Sequence, residues 1–147
     1  MENANTVNTP MDYKTRLDNV SNNANAEANQ AQYQSIVGSL IYAAQATRPD
    51  IAFAVAALSR YLLKPYKTPM TAAKRVLRYL KSTADAKLIF SGPGGSSEGL
   101  VGYTDSDWAG DRYDRKSQGG YRFKMARAPI SWKSKEQTVV GRSSTEA

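Results

Sequence analysis

At 147 residues the chain has room for one ordinary domain or two small ones, and 41% hydrophobic with 22% charged residues is a globular composition. It has neither cysteine nor histidine, which excludes a disulfide framework, thiolate metal sites and histidine-activated nucleophiles, and leaves carboxylates as the catalytic and metal-binding groups. A net charge of +7 favours a polyanionic partner.

There is no apolar run of about 18 residues, so no membrane span is expected. The opening MENANTVNTP lacks the basic start and apolar core of a secretory signal. The expectation is therefore an intracellular protein, cytoplasmic or nuclear, that is not secreted.

Residues 1–32, rich in Asn and Ala, are expected to form an irregular polar lead-in. A first helix over residues 33–44 places Ile36, Val37, Leu40 and Ile41 on one face, with Gly38 permitting close packing. Pro49 disfavours helix at Arg48, and Asp50 is suited to cap the next helix. That helix, over residues 51–63, carries the stripe Ile51, Val55, Leu58 and Leu62 and ends at Lys64-Pro65.

A third helix begins with Thr68 as cap and Pro69 in the first position. Met70, Ala73, Leu77 and Leu80 face inward, while Lys74, Arg78 and Lys81 fall at i, i+4 and i+7 with Arg75 beside them. A solvated face is one reading of that stripe. The near absence of offsetting acids makes a phosphate-facing surface an equal one.

A strand over residues 87–91, a flexible Gly/Pro/Ser turn over residues 92–97 and a domain boundary nearby come next. Three strands are then expected, over residues 100–105, 119–125 and 130–134. Between Arg112 and Arg142 nine basic residues, among them Arg115, Lys116, Lys133 and Lys135, are opposed only by Asp114 and Glu136.

The stretch GYTDSDWAGD, residues 102–111, delivers Asp105 at a strand end, followed by Asp107, Trp108 and Asp111. SSTEA, residues 143–147, is a run of hydroxyl residues that looks like a helix start and presents Glu146. Carboxylates so placed are what a two-metal phosphodiester site needs, with divalent ions about 4 Å apart on hard oxygen ligands. Asp-x-Asp is equally the pattern of a solvated turn, and Ser/Thr before Glu that of a plain helix cap. Trp108 and Trp132 are read as core residues before base-stacking ones.

The ordered run GYTDSDWAGDRYDRKSQGGYRF, PISWKSKEQ and SSTEA resembles the ribonuclease H region of copia-type LTR retrotransposon Pol polyproteins. Upstream, YQSIVGSLIY, TRPDIAFAV, LSRYLLKP and AAKRVLRYLKST resemble the segment that joins reverse transcriptase to ribonuclease H in the same polyproteins. Pro69 and Met70 stand where that family usually has His and Trp, and Ser117-Gln118-Gly119 replaces its usual Ser-Thr-Ser.

The resemblance implies an α+β chain. Residues 33–85 would be a helical connection, and residues 86–147 a partial ribonuclease H-like antiparallel meander with the start of its catalytic helix. It further implies a nuclease that cuts RNA in RNA–DNA hybrids with two Mg²⁺ ions. Asp105 would bridge both ions, and Glu146 would hold one ion and its attacking water. The family's other two acids would lie beyond Ala147, so the expectation for the chain by itself is an inactive fragment.

Nucleic-acid contacts are expected from Lys74, Arg75, Arg78, Lys81, Arg115, Lys116, Lys133 and Lys135. The partners implied are an RNA–DNA hybrid or other nucleic acid, bound weakly and without sequence preference, and the reverse transcriptase portion of the polyprotein. The competing readings are a non-catalytic basic relic and an interaction segment for reverse transcriptase.

Overall fold

The computed structural model describes residues 4–12, 15, 17, 28–91, 99–107, 115–143 and 145. The chain divides into two compact units, Met1–Ala86 and Lys87–Ala147. The first is helical and the second is a small antiparallel sheet, so the class is mixed α+β.

In the first unit, α1 (Gln30–Ala46) starts where the Asn29 side chain accepts the Gln32 N–H at 3.0 Å, an N-cap three residues before that donor. Its buried positions are Tyr33, Val37, Leu40 and Ala44, spaced along one helical face. Ile36 and Ile41, expected on that face, sit only partly buried on its flanks. Gly38 is exposed, and a Cβ built there would meet nothing within 4 Å. The glycine therefore does not serve close packing.

The link to α2 (Ala52–Ser59) is a 3₁₀ turn, Pro49–Ile51. Ile51, Ala54, Val55 and Leu58 are buried as the apolar stripe requires. The helix stops four residues short of the expected end. Tyr61 and Leu62 turn their N–H groups back to Leu58 and Ser59, tightening the chain toward Pro65, which has no N–H to continue a helix. Leu63 is left 86% exposed.

In α3 (Lys67–Ser82), Pro69 lies within the first turn, where backbone N–H groups have no intrahelical partner and a proline loses nothing. The cap position is Tyr66, which makes no side-chain cap bond, so Thr68 is inside the helix and does not cap it. Met70, Ala72, Ala73 and Val76 are buried, with Leu77 and Leu80 packed at the margin.

The three helices share one core, and Tyr33 is its largest fully buried side chain. Its hydroxyl donates to the Leu58 carbonyl at 2.8 Å. That bond ties the start of α1 to the end of α2, the antiparallel arrangement that a short link between helices dictates. Burial pushes the Tyr33 phenol well above its ordinary value, so the neutral donor form is the one that folds.

In the second unit β1 (Val101–Asp107), β2 (Gln118–Met125) and β3 (Ala128–Glu136) form an antiparallel meander in the order β1-β2-β3. The β2–β3 hairpin turns through Ala126 and Arg127, both at positive φ (50° and 68°). That pairing matches the right-handed strand twist but normally calls for Asn or Gly. The register shifts between Phe123 and Lys124, a bulge next to Pro129, where a residue without an N–H is tolerated.

The strand expected over residues 87–91 does not form. β1 takes the edge of β2 from Gln118 to Lys124, and just past that pairing the segment is tied to the sheet where Ser91 N–H reaches the Ala126 carbonyl at 2.9 Å. Ser143 and Thr145 lie in bends and turns, so no helix starts there among the described residues.

Three substitutions test this account by thermal or chemical unfolding. Gly38→Ala should stabilise the helical unit by about 0.5–1 kcal/mol, because an open, exposed helix position costs an alanine nothing. Tyr33→Phe should destabilise it by about 1 kcal/mol through loss of the bond to Leu58. Ala126→Asn should stabilise the sheet by several tenths of a kcal/mol, since Asn tolerates the left-handed conformation better than Ala.

Candidate metal and nucleic-acid site

Strand pairing fixes which side chains share a face. Residues directly opposite one another project to the same side, and neighbours along a strand to opposite sides. One face carries Tyr103, Asp105 and Asp107 of β1, Gln118, Gly120 and Arg122 of β2, and Trp132, Ser134 and Glu136 of β3. The other carries Thr104 and Ser106, Gly119, Tyr121 and Phe123, with Ser131, Lys133 and Lys135.

Asp105 therefore stands on the opposite face from Lys133 and Lys135. Its cross-strand partner is Gly120, which puts no side chain against it. The carboxylate is exposed, and its Oδ1 accepts the Ser106 N–H at 2.9 Å. Asp107 is not on a turn as expected. It is the last residue of β1, paired with Gln118, two positions along the same face. Glu146, Trp108 and Asp111 lie outside the described residues. Among the described residues no three acids gather in a group that could hold a metal ion.

On the Asp105 face the Arg122 guanidinium lies 5.0 Å from the centre of the Tyr103 ring, and Gln118 donates to Ser134 Oγ at 2.8 Å. Trp132 is half-buried there. On the other face Tyr121 and Phe123 form a tilted pair with centroids 5.6 Å apart, both partly open to solvent. A cleft of about 530 Å³ opens beside Tyr121, lined also by Thr104, Ser106, Lys133 and Lys135, with residues 137–139 and the edge at Asp105. Gln137 helps to close it, its backbone N–H on Ser117 O at 2.8 Å. Exposed aromatics beside lysines at this end of the sheet were not foreseen, because alternation alone does not say which face a sheet leaves open.

Arg115 is exposed and adopts φ 58°, while Lys116 is half-buried. Lys74 projects from α3 and is exposed. The other three basic residues predicted on α3 are engaged by the polar lead-in. Arg75 Nη2 donates to Thr9 Oγ1 at 2.9 Å, Arg78 Nε to the Asn5 carbonyl at 2.6 Å, and Lys81 Nζ to the Ala4 carbonyl at 3.1 Å. Arg75 Nε is buried without a hydrogen-bond partner.

A second polar cluster has a structural role. Arg48 grips both Asp50 oxygens, at 2.9 and 2.7 Å, and donates to the Thr83 carbonyl at 3.0 Å and to Thr83 Oγ1 at 2.6 Å. Tyr79 adds its hydroxyl to Asp50 Oδ2 at 2.9 Å. A guanidinium on the C-cap carbonyl of α3 satisfies a group that the helix cannot, and lies favourably against its dipole. Asp50 thus anchors the arginine and makes no helix cap.

Burial pushes the Asp50 carboxyl up, but the hydrogen bonds from Arg48 and Tyr79 outweigh it and hold the group below its ordinary value. A lowered carboxylate contributes stability above its unfolded pKa of about 4 and loses it as pH falls through the lower folded value. The thermal midpoint of the helical signal should therefore fall below about pH 4, and Asp50→Asn should flatten that dependence while lowering stability at neutral pH.

No family model matches the chain, and no solved structure matches it. Over its whole length it is 45% identical to the retrovirus-related Pol polyprotein from transposon TNT 1-94 of Nicotiana tabacum, of which it spans 11%. It is 47% identical, over 79% of its length, to the Pol polyprotein from transposon RE2 of Arabidopsis thaliana, spanning 8% of that protein. It is also similar to the secreted RxLR effector protein 161 of Plasmopara viticola, at 48% identity over 78% of the chain and 79% of that protein. No helix among the described residues is long and apolar enough to cross a membrane. On these identities the chain belongs with the retrovirus-related Pol polyproteins of transposons, of which it spans about a tenth.

Proposed function

We propose that the chain is the part of a transposon Pol polyprotein where a helical connection from reverse transcriptase passes into a ribonuclease H-like domain, and that Asp105 is that domain's first metal ligand. The observation that carries the reading is the setting of Asp105: an exposed carboxylate within β1 of an antiparallel meander, facing a glycine across the strand pair. Hard, partly hydrated ions such as Mg²⁺ are bound by carboxylates left open in this way. With Glu146 as the second ligand, such ions would activate water and steady the leaving oxygen at a scissile phosphate of an RNA–DNA hybrid.

A specific observation favours the interaction reading for the helical unit. Tyr42, Phe53 and Leu63 leave large apolar surface exposed there, at 76%, 55% and 86%. Apolar side chains so placed suit packing against a reverse transcriptase partner. The non-catalytic basic module is supported by Lys133 and Lys135, which stand exposed on the sheet face away from Asp105.

By itself the chain should not cleave an RNA–DNA hybrid above a metal-free control in Mg²⁺ or Mn²⁺, because Asp105 has no group of acids gathered about it among the described residues. Cleavage that Asp105→Asn abolishes would overturn this. A longer protein that supplies the family's two further acids should cut the hybrid. There Asp105→Asn should cost several kcal/mol of transition-state stabilisation. Binding to hybrid should be sequence-indifferent and fall steeply with salt, and Lys133→Glu with Lys135→Glu should weaken it and flatten the salt slope.

A further inference from the structure

Residues 4–9 lie along α3 and supply it with acceptors. The carbonyls of Ala4 and Asn5 take Lys81 and Arg78, and Thr9 Oγ1 takes Arg75. Ser82 Oγ lies 2.8 Å from the Val7 carbonyl, and equally 2.8 Å from that of Tyr79 in its own helix. These donors recur every three to four residues, along one side of a straight helix.

The segment that meets them, Ala-Asn-Thr-Val-Asn-Thr, contains no acid. Arg75 and Arg78 are therefore met by neutral oxygens, which lack the ion-pair attraction that an anionic oxygen would add. The fit is also incomplete, because Arg75 Nε is buried with no acceptor. A phosphate would take Arg75 through two parallel N–H groups where Thr9 takes it through one.

We propose that residues 4–9 form a strap over a phosphate-binding face of α3, and that the sugar-phosphate backbone of a nucleic acid displaces it. This rests on the reading of α3 as a nucleic-acid surface. The strap holds Arg75, Arg78 and Lys81 extended and spaced in the absence of ligand, so little side-chain ordering remains when a phosphate arrives. It also lowers the apparent affinity by the fraction of molecules in which it is docked. Lys74, exposed on the same helix, is the cation open to a first encounter.

The test uses the full chain. Because it has no cysteine, Asn8→Cys gives a single site for a fluorophore on the strap. Thr9→Val with Ser82→Ala loosens the strap without removing a cation. This variant should bind a short RNA–DNA hybrid several-fold more tightly than the parent, and saturating hybrid should raise the mobility of the label at position 8. Thr9→Val by itself should give a smaller change of the same sign, which guards against a folding defect in the double variant.

Unchanged or weakened binding in both variants, or a label that stays fixed at saturation, would overturn the strap. The underlying reading fails separately, through Arg78→Glu with Lys81→Glu. If that pair leaves hybrid binding intact, α3 is not the nucleic-acid surface. If the pair abolishes binding while the label stays fixed, only the strap is lost.

Discussion

The Tyr33 hydroxyl, buried in the core that the three helices share, donates to the Leu58 carbonyl. Stranding a phenol in an apolar core costs more than the bond is worth, so α1 and α2 pack only where that contact can be made. With those two helices fixed, the remaining apolar groove is filled by Met70, Ala73 and Val76 of α3. The orientation of α3 then follows, and its basic residues are left on the side away from the core. Arg48 secures the far end by satisfying the carbonyl of Thr83, the C-cap of α3, while Asp50 holds its charge.

The same demand for partners explains the polar lead-in. A helix whose outer side carries Arg75, Arg78 and Lys81 presents many donors and few acceptors, and the carbonyls of an extended segment answer that need without any particular sequence.

In the sheet the governing constraint is alternation. Since neighbouring residues of a strand face opposite ways, Asp105 and the lysines of β3 stand on opposite faces of the sheet in this register. A phosphodiester at Asp105 would meet Arg122, Gln118 and Ser134, whereas Lys133 and Lys135 keep company with Tyr121 and Phe123. The sheet thus separates a face bearing Asp105, Asp107 and Glu136 from a face bearing Tyr121, Phe123, Lys133 and Lys135.

Much of this was determined by the sequence alone. Apolar spacing set the three helices, β-branched and aromatic runs set the meander, and the ordered motifs around Asp105 pointed to the polyprotein family. Local pattern could not say that Gly38 is open, that α2 stops at Ser59, that Asp107 completes β1, or that residues 87–91 form no strand. Each depends on which neighbour is already occupied, and that is decided only when distant segments compete for the same donors and acceptors. The engagement of residues 4–9 by α3 is the clearest case: both segments were legible as polar, but only the tertiary structure could bring Asn5 to Arg78, 73 positions further along the chain.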